Sequence, residues 1–316
     1  MNKYNTFETN VLDYFDDLKD DSFEPSYCIF CKPSTFRHSV FQKRTMRVEL
    51  CDCGFVYNNR QPKQEVLDDF YKKSDAMKTW SDLKTSPSQE KRQAEKFHLA
   101  VSFLRGAVES VCDIGCGTGY FLSKLPDTIE RVGVDTHKES LDHAKKNGID
   151  TYQMGIDEWF AKCKKEGKKF DAVTLWGVLE HVKNPIEVLE NCHSILNRDG
   201  YIITCVPNVD SAVVRRFWKQ TFTFQPVHLW YFNHGTLLRA YEKAGFKYCD
   251  SWTIESEVKP LVRGLNGFGP YEPLPKWLEE KVMTKETLEK LHKEIILTSR
   301  GYKIVAIGRK NWSMLP

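Results

Sequence analysis

No stretch of the sequence approaches the ~18 consecutive apolar residues a membrane helix needs. A basic surplus is missing too. Its 46 lysines and arginines against 43 acids leave a net charge of +3 over 316 residues, without the one-sided excess typical of nucleic-acid binders. The densest basic cluster, KCKKEGKK at 162–169, reads as a solvated loop or helix end. The opening stretch MNKYNTFETNVLDYFDDLKDD is acidic and lacks the apolar segment of a secretory signal. There is no internal repeat and no low-complexity tract. Ten cysteines are present, several inside apolar runs such as VCDIGC and IITCVP. Buried free thiols of that kind fit a reducing compartment, so a cytoplasmic location is expected.

Four segments are expected. Residues 1–25 read as an acidic leader with one short helix, and 26–61 as a small β module rich in Cys, Arg and β-formers. Residues 62–106 turn helical: QPKQEVLDDFYKKS puts Val66, Leu67 and Phe70 on one face, and EKRQAEKFHLAVSFL supplies Phe97, Val101 and Leu104. From 107 to 310 strands and helices alternate. ESVCDIG, RVGVD, FDAVTLW and GYIITCVP read as strands; GYFLSKL, KESLDHAKKNG and PIEVLENCHSILN read as helices. That rhythm implies an α/β fold, a parallel sheet with helices on both faces. KYCDSWTI and YKIVAIGRK form a last strand pair around an insertion at about 255–300, with a second insertion at about 208–235. Insertions that long are seldom idle.

CDIGCGTGYF turns through Gly115, Gly117 and Gly119 directly after Asp113. Glycines there let backbone approach a ligand closely. One strand later RVGVD ends in Asp135, where an acid can grip ribose hydroxyls. The G-x-G-x-G spacing and the acid ahead of it suit a cationic amino-acid portion better than a pyrophosphate, so S-adenosylmethionine is expected rather than a nicotinamide nucleotide.

CDIGCGTGYF, VGVD, FDAVTLWGVLEHVKNP and LNRDGYIITCVPN, in that order over residues 95–250, resemble the signature of class I S-adenosylmethionine-dependent methyltransferases. LEHVKNP is typical of the branch acting on small molecules, quinones and sugars among them. The resemblance implies a Rossmann-like, doubly wound sheet of seven strands with the last antiparallel. It also implies roles. Asp113, Gly115, Cys116 and Gly117 would line the methionine portion, and Asp135 the ribose, with Thr136 beside it. Ile156 would stack on adenine and Asp157 accept from its amino group, or else cap the helix that follows. Leu175 and Trp176 would meet the cofactor through their backbone.

Cys28 and Cys31 in YCIFC, with Cys51 and Cys53 in LCDCG, form two close pairs. Together with FVYNNRQP and DDFYKKS they resemble an N-terminal zinc-binding module of some bacterial methyltransferases acting on sugars or antibiotic intermediates. The second pair is one residue short of C-x2-C. Three readings stay open: a tightened zinc site, Asp52 or His38 as substitute ligand, or no metal. Four thiolates would close the coordination sphere, so any zinc is structural rather than catalytic.

For the acceptor, His181 in LEHV and His228 in QPVHLWYF are the candidates for acid–base work. The blander reading of His181 is a structural or cofactor-side residue, and that of His228 a hydrogen-bonding residue within a lid. Phe222, Phe224, Trp230, Tyr231 and Phe232 around His228 would wall a ring-shaped substrate. His234 reads as a helix start. Tyr71 and Trp80 would cap the cofactor from above. The expected function is methyl transfer to a small molecule, such as a nucleotide-linked or polysaccharide sugar, with no membrane or nucleic-acid partner. RNA base methylation and a non-catalytic cofactor binder are the alternatives.

Overall fold

In chain order the strands are β1 (Phe23–Pro25), β2 (Arg37–Lys43), β3 (Met46–Cys51), β4 (Val56–Asn58), β5 (Arg60–Pro62), β6 (Ser110–Ile114), β7 (Glu130–Asp135), β8 (Asp150–Gln153), β9 (Phe170–Trp176), β10 (Leu196–Pro207), β11 (Trp230–Tyr231), β12 (Tyr248–Ile254) and β13 (Lys303–Arg309). The structure is a computed structural model that describes residues 3–73 and 87–311.

Strand β6 is buried at every residue, as a central strand covered on both faces must be. Successive side chains serve opposite layers. Val111 and Ala172 join the helices Pro87–Leu104 and Lys138–Lys146, whereas Cys112 and Val173 join Ile156–Glu166, Pro185–Ile195 and His234–Lys243. The sheet runs β12-β13-β10-β9-β6-β7-β8. Neighbours from β10 to β8 pair parallel, and β13 lies antiparallel between β10 and β12. This is the doubly wound, seven-stranded arrangement expected, with the last strand reversed.

One expected helix is absent. GYFLSKL forms turns and a single 3-10 turn, Leu122–Lys124. Gly119 sits at φ +70°, and Pro126 blocks continuation, leaving too few residues for a stable α-helix.

The cysteine-bearing segment forms a second sheet, β11-β4-β3-β2. Its β11 comes from the 208–235 insertion: Trp230 pairs with Tyr57 and Tyr231 with Val56. One face of this sheet, with Phe55 and Tyr57, runs into the same apolar cluster as Leu175 and Leu189. The other packs Met46, Val48 and Val56 on Val213, Phe224 and Tyr231. Helix Lys3–Asp16 adds Val11 and Phe15 to the first face. The 255–300 insertion carries helices Val258–Leu265, Lys276–Val282 and Lys285–Leu297. Left-handed residues Glu255 and Ser299 flank it, at φ +57° and +56°.

Candidate active site

The carboxyl ends of β6, β7, β9 and β10 define one rim, the edge where open α/β sheets hold ligands. After β6 the chain turns through Gly115 at φ +71°, where a Cβ would stand 2.5 Å from Val178 Cγ2. Only glycine meets both constraints. The Gly115 and Cys116 amides donate to the Val134 carbonyl at 2.8 and 3.1 Å. Gly117 N–H donates to Asp135 Oδ2 and His137 N–H to Oδ1, both at 2.8 Å. The loop and the strand-end acid thus hold each other, and each carboxylate oxygen keeps a lone pair for a further donor. Burial raises the Asp135 pKa, with the His137 and Gly117 amides pulling back.

Asp113 lies beneath the loop, 1% exposed, accepting from Thr174 Oγ1 at 2.6 Å. Burial pushes its pKa up to about 7 against the opposing pull of Thr174 and Lys96. Cys116 lies in the loop, but its side chain turns away. Its Sγ fills the space beside Gly133, where a Cβ would stand 2.8 Å from it, so only its backbone is left to face the rim. Thr136 is exposed at the end of β7. Ile156 opens the helix to Glu166 and is half-buried, with Asp157 exposed beside it. The expected cap at Asp157 is corrected: Gly155 is the N-cap, and Glu158 accepts its N–H at 3.1 Å. Leu175 is fully buried. Trp176 ends β9 against Phe97 and Phe121, at ring distances of 4.6 and 5.0 Å.

Sequence reasoning missed Lys96. On helix Pro87–Leu104 it is only 8% exposed, with Nζ 5.0 Å from the Phe97 ring centre and 5.3 Å from that of Trp176. Burial lowers its pKa. Among the described residues it makes no ion pair, although Asp113 feels its charge. The available signal was helical spacing: Lys96 stands one turn before Ala100, on the buried edge.

Residues 179–182 are laced to 227–230. Leu229 N–H donates to the Glu180 carbonyl at 2.8 Å, and Trp230 Nε1 to that of Val182 at 2.7 Å. His181 Nδ1 lies 2.8 Å from the Val227 carbonyl and 2.8 Å from the Tyr71 hydroxyl. Tyr71, expected to cap the cofactor from above, meets His181 through this contact, and Trp80 falls outside the described residues. His228 Nδ1 donates to the Thr223 carbonyl at 2.7 Å. The two imidazoles meet edge to face at 4.8 Å. Burial, then His181, drives the His228 pKa well below its ordinary value, so it is neutral at pH 7.

The aromatic residues near His228 do not wall a pocket as expected. Phe224, Trp230, Tyr231 and Phe232 are buried against the cysteine module, with Phe55–Phe232 at 5.4 Å and Phe41–Phe224 at 4.9 Å. The cause is the pairing of β11 with β4, which turns these rings into a joint. Phe222 packs its ring, tilted, against that of Tyr271 at 4.2 Å. His234 is the first residue of its helix, capped by Asn233.

Cys28, Cys31, Cys51 and Cys53 present four sulfur atoms within 4.8 Å of one another, Cys28 and Cys53 at 3.5 Å. Ligands on a tetrahedral ion with Zn–S of about 2.3 Å stand ~3.8 Å apart, so the short C-x-C pair still fits. Gly54, at φ +84°, supplies the tight turn after it. His38 and Asp52 lie outside the cluster and pair with each other at 3.3 Å.

A methyltransferase-domain family profile matches residues 87–250, just over half of the chain. The chain belongs to the methyltransferase-domain family. It is similar to the ubiquinone biosynthesis O-methyltransferase of Glaesserella parasuis, 33% identical over 32% of this chain and 46% of that protein. It is also similar to the tRNA U34 carboxymethyltransferase of Campylobacter hominis, 28% identical over 38% and 44%. The chain thus spans less than half the length of these curated relatives. Among solved structures it is similar to the methyltransferase bound to the Trm112 activator of Haloferax volcanii, with TM-score 0.51 and 17% identity over 79% of this chain and 99% of that one. The plantazolicin methyltransferase BpumL, solved with SAH, gives TM-score 0.50 and 15% identity over 78% and 94%. At these identities the likeness is one of fold alone.

Proposed function

We propose that the protein is an S-adenosylmethionine-dependent methyltransferase acting on a small-molecule acceptor, with a nucleotide-linked or polysaccharide sugar as the first class to try. The observation that carries this reading is the pairing of the Gly115–Gly119 loop with Asp135, beside a buried acid and a buried lysine. Asp113 would face the cofactor's ammonium and Lys96 its carboxylate. Asp135 would hold the ribose hydroxyls with Thr136 beside it. Ile156 and Asp157 would take the adenine, and the Leu175–Trp176 backbone the side of the sulfonium. The cofactor supplies an electrophilic methyl group, and in-line displacement by the acceptor asks the protein chiefly for positioning and exclusion of water.

His228, neutral and with Nδ1 tied to a carbonyl, offers Nε2 on the acceptor side, and His181 stands against it. The four cysteines would hold structural zinc, which takes no part in the chemistry. Calorimetric titration with S-adenosylmethionine, then a labelled-methyl screen over nucleotide sugars, quinols and an RNA transcript, tests the reading. No cofactor binding would sink it. Transfer to RNA alone, with steep salt dependence, would move the acceptor to the class named for the Campylobacter relative.

A further inference from the structure

Glu180, His181 and His228 bring one carboxylate and two imidazoles to a single point, their ligand atoms all within 4.8 Å of one another. Glu180 is only 3% exposed, and its Oε2 is buried with no hydrogen-bond partner among the described residues. A buried carboxylate oxygen without a donor is costly, and native interiors rarely leave one so. Its Oε1 lies 3.9 Å from His181 Nε2.

The His228 tautomer points the same way. A carbonyl oxygen only accepts, so Thr223 assigns the His228 proton to Nδ1 and leaves its Nε2 without one. A ring held by a backbone carbonyl through one nitrogen and free at the other is the form a metal-ligating histidine takes. The nearest described donor to His228 Nε2 is Gln225 Nε2, a long 3.4 Å away, while it donates to the Phe222 carbonyl at 2.9 Å. His181 turns its Nδ1 to the Val227 carbonyl and the Tyr71 hydroxyl, which leaves its Nε2 on the side of Glu180. At Gly177 even a Cβ would stand 3.6 Å from Glu180 Oε1, so a larger side chain there would crowd the approach.

We infer that Glu180, His181 and His228 form a binding site for a divalent first-row cation, separate from the four-cysteine cluster. Two imidazoles and a carboxylate select such ions and leave coordination positions open. Donors on one ion at about 2.1 Å stand ~3 Å apart, so the three side chains close slightly on binding. Resting on the methyl-transfer reading, the site also narrows the acceptor to a molecule with two adjacent oxygens, such as a vicinal diol, which fills two open positions. The cation acidifies one hydroxyl. Its proton passes to water, the oxygen bonds the methyl carbon, and the electron pair of the breaking C–S bond returns to sulfur.

The test uses full-length protein with its cysteine site zinc-loaded, titrated with Mn2+ and followed by electron paramagnetic resonance of the free ion. A single bound Mn2+ per chain is expected. Glu180→Gln, nearly isosteric, should weaken it about a hundredfold, and Tyr71→Phe, behind His181, about tenfold. S-adenosylmethionine affinity, measured on the same samples, should change less than about twofold in both and reports that each variant is folded. No bound ion at millimolar Mn2+ in protein that binds S-adenosylmethionine overturns the metal site and leaves methyl transfer standing. Unchanged Mn2+ binding in Glu180→Gln also overturns it. Mn2+ binding without cofactor binding keeps the site and removes the acceptor class.

Discussion

Asn58, at the end of β4, donates its main-chain N–H to the Leu229 carbonyl at 3.0 Å, one residue from His228. Gln61 Nε2 reaches the same oxygen at 3.3 Å, and the Leu229 N–H goes to Glu180. One residue, Leu229, therefore ties the cysteine-bearing sheet to both candidate acid–base segments. With zinc on the four cysteines as proposed, its removal by chelation or by Cys51→Ser should loosen this joint at a distance. Hydrogen–deuterium exchange should rise by roughly tenfold or more over 226–232, equivalent to ~1.4 kcal/mol of local stability. Exchange confined to 26–62 would show the tie to be passive.

Gly115→Ala meets two obstacles: a left-handed φ, worth ~1–2 kcal/mol for a residue with a Cβ, and overlap with Val178 at 2.5 Å. S-adenosylmethionine affinity should fall by about tenfold or more, and the melting temperature with it. Adding Val178→Ala removes the overlap but not the backbone strain, so calorimetry of the double variant should show partial recovery. Full recovery would mean that φ at 115 is unimportant.

The sheet was legible because its strands are short apolar runs punctuated by glycine, and period 2 between helical stretches leaves few topologies. The turn at Gly115 and Gly117 was legible for the same reason: a left-handed backbone that favours glycine announces itself. Lys96 was not. In a run of charged residues it reads as one more solvated lysine, and only the fold shows the Phe97 and Trp176 rings closing over it. The rings around His228 were misread in the opposite sense. Aromatic density looked like a pocket, whereas the non-local pairing of Trp230 with Tyr57, invisible to local pattern, makes it a seam. The short GYFLSKL run failed because amphipathic spacing says nothing about length.

Asp113 predicts a pH dependence. Its folded pKa is raised to about 7, so the neutral form is favoured in the ligand-free protein. This contribution to stability is fully present below the unfolded carboxylate pKa and is lost as pH rises through about 7. A cationic ligand favours the ionised form, so its binding should release a proton. S-adenosylmethionine affinity should rise between about pH 5.5 and 8, with proton release seen by calorimetry in buffers of different ionisation enthalpy. Asp113→Asn should flatten the profile. A flat profile in the unmodified protein would remove Asp113 from the cofactor's charged end.

His228→Ala should lower turnover by about a hundredfold or more, the scale of a positioned acid–base or ligand group. Asp135→Ala should chiefly weaken S-adenosylmethionine. If the two variants fail in the same parameter, the division of the rim into cofactor and acceptor halves is wrong.

Lys96→Met separates a cofactor role from a structural one. The ammonium is buried without an ionic partner among the described residues, and burial lowers its pKa. Replacing it by an apolar chain of similar length should therefore raise the melting temperature of the ligand-free protein. The same change should cost S-adenosylmethionine about tenfold or more in affinity, because the ligand carboxylate loses its counter-ion in a site of low dielectric. Methylthioadenosine, which has no carboxylate, should bind both proteins alike. Equal losses for both ligands would assign Lys96 to packing of the Phe97–Trp176 rings, and no loss for either would take it out of the site.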